Sequence, residues 1–407
     1  MSAKIKKVFI IGNGFDLNLG YPTRFKDFIA FCTNWKSFYD RDSNEKYVKG
    51  LNESNINDMK LTIDENKNQV NHWDSNGMAN LKMYYNDLEK SEIESLNFYI
   101  SDNGLIKYLI ENKDGITYER WSDFENYLSQ LCEMCEEYEK KIVSGHPNND
   151  EFSKFLKYVY VDEDGFYSNQ PTSRSIVESA VRIDKIKFIG KLSEQLLKFS
   201  RAFNSYLKLF VDKMEIPQLG VSDSNEDAFV LDFNYTRFCS KIFNKSKINY
   251  IHGYQHDDNI IIGINDEKLS SDYDCLKKEF LRLKMNIEMK QENQDDLRGQ
   301  YEDIYEYLSQ NYENGLFIQI QVIVIGHSIN KVDWDILNNY LNDDNIYTSV
   351  SIYYHNSFDS QLLNLYQMLE NNGVKYDIIK KRIKNEYYKF HKYNDLKSLL
   401  NSNKYLH

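Results

Sequence analysis

Five short segments of this chain carry side chains able to bind or transform a nucleotide. The first is Gly12-Asn13-Gly14-Phe15-Asp16, directly after the apolar run 8–11. Glycines at the carboxyl end of a strand let the backbone approach a phosphate, and the next helix offers free N–H groups. The third glycine of the dinucleotide fingerprint is missing, so an ordinary tight turn explains the segment equally well. A carboxylate is repulsive beside a phosphate, so Asp16 suits a ribose hydroxyl, a metal or a helix cap instead. The second is Gly20-Tyr21-Pro22-Thr23-Arg24, a defined loop in a chain with only Pro 4 and Gly 17. Its arginine could pair with a phosphate or stand in solvent.

The other three segments also close apolar runs. In Phe233-Asn234-Tyr235-Thr236 the Asn amide can orient a ribose or a water, or simply turn the chain. In Ile251-His252-Gly253 a neutral imidazole suits a general base near pH 7. In Ile325-Gly326-His327-Ser328 the backbone and hydroxyl suit nucleotide contact; the segment lacks the final glycine of a nucleophile elbow. Asp333 is expected to cap the helix that follows. Cys132-Glu133-Met134-Cys135 lies on an apolar helical stripe with no second pair at zinc-ribbon spacing, so it reads as core. Ser122-Asp123-Phe124-Glu125 reads as a capping box, Ser122 at N-cap and Glu125 at N3.

Taken in order, these segments resemble the AbiH family of bacterial abortive-infection proteins. The resemblance rests on Gly12-Asn13-Gly14-Phe15-Asp16-Leu17, Gly20-Tyr21-Pro22-Thr23, Lys26-Asp27-Phe28, Trp121-Ser122-Asp123-Phe124-Glu125, Phe233-Asn234-Tyr235-Thr236, His252-Gly253 and Gly326-His327-Ser328. It implies defence against bacteriophage by shutting down the infected cell, and leaves the reaction open. The same order is distantly similar to sirtuin-like NAD-binding domains. That similarity implies NAD as substrate and hydrolysis to nicotinamide and ADP-ribose. Asn234 and His252 are then catalytic. Gly12, Asn13, Gly14, Asp16, Pro22, Thr23, Gly326, His327 and Ser328 bind the nucleotide, and no metal is expected. Thr236 stands where an Asp is usual, Asp16 where a small residue is usual, and the paired C-x-x-C zinc module of deacylases is absent. Two rivals stand beside this reading. One is a metal-dependent nuclease or phosphohydrolase using Asp16, His252 and Asp333. The other is a non-catalytic nucleotide sensor that recruits a partner. A phage-derived trigger and a homo-oligomer are expected from the resemblance alone.

Positioning these residues takes strands that end together. Short apolar runs at 6–11, 228–233, 248–251, 260–264, 316–325 and 347–354 read as buried strands. The last of them alternate with helical patterns at 334–341 and 361–369, which argues a parallel, doubly wound sheet. Between them, Trp121, Phe124, Leu128, Leu131, Cys135, Tyr138 and Ile142 recur three and four apart, as do Leu192, Leu196, Phe199, Phe203, Tyr206 and Phe210. A charged helical stretch is expected at about 273–311. The expected fold is α/β: a Rossmann-like parallel sheet, sirtuin-like, with a large helical insertion. The nucleotide-binding domain takes 1–38 and 225–407. The insertion takes 39–224, with a polar surface segment at 39–80.

Bulk composition narrows the remaining classes. The 407 residues carry 62 acids against 50 bases, a formal charge of −12, which disfavours bulk nucleic-acid or anionic-membrane binding. No apolar run is long enough for a membrane span, and 8–11 reads as a strand rather than a leader. Five cysteines suit reduced thiols in a cytoplasm. Tyr 32 and Phe 23 beside so few turn-formers favour long helices around an aromatic core.

Overall fold

A computed structural model describes residues 4–42, 88–112, 120–143, 151–159, 185–214, 228–243, 247–254, 260–264, 268–282, 284, 318–342, 348–355 and 357–393. The chain divides into two compact units. One joins Met1–Thr23, Asp212–Ile260 and Arg282–His407; the other joins Arg24–Val211 and Ile261–Leu281.

The first unit is built on six parallel strands: β1 (Lys4–Ile11), β2 (Phe229–Asp232), β3 (Lys247–Tyr250), β4 (Ile318–Ile325), β5 (Thr348–Tyr354) and β6 (Tyr388–Lys392). Their order is β3-β2-β1-β4-β5-β6. This is the Rossmann order, and it reverses between β1 and β4, where ligands of such sheets bind beyond the carboxyl ends. Ile11 pairs with both Asp232 and Ile325, so the three segments leaving β1, β2 and β4 start level with one another. β1 and β4 are Val- and Ile-rich because a parallel sheet is covered on both faces. Ile10, Leu231, Val324, Val350 and Ile352 are fully buried in one core cluster. Helices of the same unit cover that face with Leu337, Leu341, Leu365, Met368 and Leu369. Each such side chain contributes about 1.5–3 kcal/mol on burial.

The second unit is helical. Its helices include Phe25–Asp42, Lys90–Ser101, Gly104–Glu111, Trp121–Val143, Glu151–Val159 and Lys185–Tyr206. Phe25 stacks on Phe124 at 4.6 Å, Trp121 meets Phe203 at 4.2 Å and Phe31 meets Tyr206 at 4.6 Å. These rings build an aromatic core within this unit, each burying a large apolar area. Cys132 and Cys135 are buried free thiols on the Trp121–Val143 helix.

The α/β architecture and parallel sheet are as expected, and two local expectations change. Residues 260–264 form no strand. Their apolar pattern signals burial, and Ile264 instead exchanges backbone hydrogen bonds with the 3-10 turn Ser271–Leu276 and the residues after it. Ser122 is also not the N-cap, because the helix begins at Trp121; there Arg120 N–H donates to Asp123 Oδ2 at 3.1 Å. Ser122 is buried in the first turn, and Glu125 meets Lys278 Nζ at 2.9 Å, both side chains buried. β6 escaped the strand pattern because its alternation is Tyr-Lys-Phe-His-Lys, half polar as suits an edge strand. Residues 39–42 of the surface segment expected at 39–80 continue the helix Phe25–Asp42; the rest of that segment, and most of the charged stretch expected at 273–311, lie outside the described residues. No described helix is long and apolar enough to cross a membrane.

Candidate active site at the strand ends

Two polar constellations occupy the carboxyl edge of the sheet. The first centres on Asp16, which lies in the short helix Gly14–Asn18 after β1 and is 0% exposed. Asp16 Oδ2 accepts the Thr236 hydroxyl at 2.6 Å, and Oδ1 accepts Asn234 Nδ2 at 3.4 Å. Asp232, the last residue of β2, accepts the Asn234 backbone N–H at 2.9 Å. Burial pushes the Asp16 carboxyl up to about 7, against the pull of the Thr236 hydrogen bond. Burial and then the charge of Asp16 push Asp232 well above the usual carboxylate range. Two carboxyls this close in a dry site cannot both ionise cheaply. Cys239, fully buried beside them, is pushed up by burial and then by Asp232, which holds it as an unreactive thiol.

Asn234 is thus gripped at both its nitrogens, and it is only 2% exposed. Its side-chain oxygen Oδ1 is buried without a hydrogen-bond partner. The amide is set with Nδ2 toward the Asp16 carboxyl. Buried acceptors are nearly always satisfied, so this one marks a place for a donor.

The glycines have a defined local use. Gly12 N–H donates to Ile325 O at 3.0 Å and Gly14 N–H to Gly326 O at 2.9 Å. A Cβ on Gly14 would lie 2.7 Å from Gly326 O, and one on Gly12 would lie 2.5 Å from His327 Cα. Gly326 has φ +68°, and a Cβ there would overlap the Phe15 backbone nitrogen. The loops after β1 and β4 therefore interlock backbone against backbone, which only glycine permits. The first loop is closed again further on. Thr23 Oγ1 donates to Asn13 Oδ1 at 2.6 Å, and Asn13 Nδ2 returns a bond to Thr23 O at 3.2 Å. Pro22 is buried in that closure, and Tyr21 stacks on Phe238 at 3.7 Å.

The second constellation joins residues following β3 and β4. His252 Nε2 lies 3.1 Å from Asp333 Oδ1, and His327 Nε2 lies 3.4 Å from Asp333 Oδ2. All three side chains are buried. Phe233 sets its ring edge-on against both imidazoles, at 5.6 Å and 4.5 Å between centroids. Asp333 was expected to cap the helix Trp334–Leu341, and it does occupy the N-cap position. Its carboxylate makes no capping bond there and is aimed at the two histidines instead.

The loop bearing His327 is held from several sides. Gln361 Nε2 donates to His327 O and Asn364 Nδ2 to Ser328 O, both from the helix Phe358–Asn371. Trp334 Nε1 donates to Ile329 O at 3.0 Å. Ile329, fully buried, is fixed at φ 51°, a left-handed backbone that a β-branched residue adopts only under constraint.

The sequence-derived residues therefore fall into three groups. Asn234 joins Asp16, His252 joins His327, and Gly12, Asn13, Gly14, Thr23 and Gly326 build the interlocked loops. Asn13, Gly14, Gly326 and Ser328 keep partial solvent exposure, whereas Gly12, Asp16, Pro22, Thr23 and His327 are buried. Asp232, Thr236 and Cys239 were missed as members of the first constellation. A charged residue ending the apolar run Phe229-Val230-Leu231 was the available signal for Asp232. Among the described residues, no group of three or more His, Cys, Asp or Glu side chains is placed to hold a metal ion.

Comparison with family models matches residues 8–354 to the family described as Bacteriophage abortive infection AbiH. No curated protein and no solved structure matches the chain.

Proposed function

Because this chain belongs to the AbiH family of bacteriophage abortive-infection proteins, we propose that it acts by hydrolysing NAD to nicotinamide and ADP-ribose at the strand-end site. The observation that carries the proposal is Asn234: a buried amide, clamped through its nitrogens, whose oxygen Oδ1 has no hydrogen-bond partner. A ribose hydroxyl or the attacking water is the donor this acceptor fits. The Rossmann strand order supports a dinucleotide across the β1/β4 reversal. Asn13, Gly14, Gly326 and Ser328 form the partly exposed rim on which it would lie.

In the proposed step the bond from ribose C1′ to the nicotinamide nitrogen breaks, and its electron pair leaves with nicotinamide. The ribosyl centre becomes oxocarbenium-like. Water then bonds to C1′, and His252 accepts the proton that water gives up. Asp16 and Asp232 touch Asn234 rather than substrate, so they are positioning residues. Asp16 brings a buried carboxyl, not a phosphate ligand, to the loop after β1.

The test is a product assay on purified protein. NAD, ATP and RNA are offered separately, with and without EDTA, in the presence of phage lysate as trigger. Nicotinamide release from NAD that EDTA leaves unchanged supports the proposal. Cleavage of ATP or RNA without nicotinamide release, or chelator-sensitive activity, sinks it.

A further inference from the structure

We infer that Asp333 is a positioning residue that fixes His252 in the Nε2–H tautomer, so that Nδ1 is the nitrogen that takes the proton. The inference rests on the NAD-hydrolysis reading for its kinetic consequence; its tautomer content is independent of any substrate.

The argument starts at the second histidine. Ile329 donates its backbone N–H to His327 Nδ1 at 2.9 Å. That nitrogen must therefore carry a lone pair, and the ring proton of neutral His327 sits on Nε2. Nε2 lies 3.4 Å from Asp333 Oδ2, so the protonated side of the ring faces that carboxylate oxygen. His252 meets the other oxygen, Oδ1, through its own Nε2. An ionised carboxylate only accepts, so His252 must also donate from Nε2. The lone pair of His252 is then on Nδ1. One carboxylate orders two imidazoles, and the strained, well-anchored backbone at Ile329 sets the sense of the arrangement.

The histidines are consequently unequal. His327 has its Nδ1 lone pair committed to the backbone, so it serves as the tautomer reference. His252 holds its lone pair on the side away from Asp333. When Nδ1 takes a proton from water, the imidazolium that forms already faces the Asp333 carboxylate. Asp333 is 81 positions from His252, and no sequence spacing announces the pairing.

Asp333→Asn makes the test sharp. The amide has one acceptor and one donor face. His327 stays an Nε2–H donor because Ile329 holds its Nδ1, so it takes the amide oxygen. The amide nitrogen then points at His252 Nε2 and forces the proton onto Nδ1. The experiment is 15N-imidazole NMR of the full chain, wild type and Asp333→Asn, together with kcat and KM for NAD. The wild-type spectrum should show His252 and His327 both protonated at Nε2. In the variant His252 should switch to Nδ1–H while His327 does not. The variant's kcat should fall roughly 100- to 10,000-fold with KM within a few-fold.

A wild-type His252 protonated at Nδ1 overturns the inference, as does a variant in which His252 keeps Nε2–H. The wild-type spectrum decides the tautomer even if the variant does not fold. A tautomer switch in a protein that never releases nicotinamide supports the role of Asp333 and removes the NAD reading instead.

Discussion

Thr236 donates its hydroxyl to the Asp16 carboxylate at 2.6 Å, across 220 positions of sequence. The bond ties the segment leaving β2 to the short helix leaving β1, and it keeps Asp16 turned toward Asn234. The parallel register makes it available, because Ile11 and Asp232 stand opposite each other and both chains emerge at one level.

Removing that hydroxyl strands a buried carboxyl. Thr236→Val should lower stability by about 1–3 kcal/mol, whereas Thr236→Ser should stay close to wild type. Denaturant unfolding of the three proteins checks this. A valine variant within a few tenths of wild type would mean that the hydroxyl does not hold Asp16.

Asp16 also sets a pH dependence with a definite sign. Its carboxyl titrates near 7 in the folded protein and near 4 in the unfolded chain. The folded state therefore binds more protons between those values, and stability falls as pH rises through that window. One such group contributes a slope of at most about 1.4 kcal/mol per pH unit. Asp232, raised by the same burial and by Asp16, acts in the same sense. Urea unfolding at pH 5 and pH 7 should show the loss, and Asp16→Asn should flatten it. Stability that rises over this range through Asp16 would contradict the buried-pair geometry.

The interlocked glycines make a comparative prediction. Gly326 and Gly373 both have positive φ, but only Gly326 has backbone where a Cβ would go; Gly373 has open space. Gly326→Ala should cost roughly 1–3 kcal/mol more than Gly373→Ala, because overpacking adds to backbone strain. Matched thermal melts read the difference. Equal costs would show that the loops after β1 and β4 do not press on each other.

In the helical unit, Glu125 and Lys278 form a buried ion pair at 2.9 Å. Lys278→Met alone should cost about 3–5 kcal/mol by leaving a buried carboxylate without its cation. The double variant with Glu125→Leu should recover much of that loss. A single variant as stable as wild type would place the pair in water.

The strand-end site was legible in part because its residues follow apolar runs. The Gly12-Asn13-Gly14 turn after the run 8–11, Asn234, His252 and His327 all follow from where a parallel sheet must stop. Asp232 and Lys278 were not legible as partners, and Asp333 was grouped with His252 only as a metal ligand in a rival reading, not as its hydrogen-bond partner. Each looks locally ordinary: the end of a strand, the start of a helix, one base in a charged stretch. Their roles depend on neighbours brought in from elsewhere in the chain, Asp16 for Asp232, His252 for Asp333 and Glu125 for Lys278, which spacing along one segment does not encode. The run 260–264 shows the converse limit. An apolar pattern reports burial, and the partner that buries it decides whether a strand forms.

The most direct measurement is nicotinamide release from NAD by purified wild type, His252→Ala and Asn234→Ala in the presence of phage lysate. The account predicts release by the wild type. It predicts a loss of roughly 100- to 10,000-fold in turnover for each alanine variant, measured at a temperature where unfolding profiles show each variant folded. Wild-type protein that releases no nicotinamide, or alanine variants as fast as wild type, would contradict it.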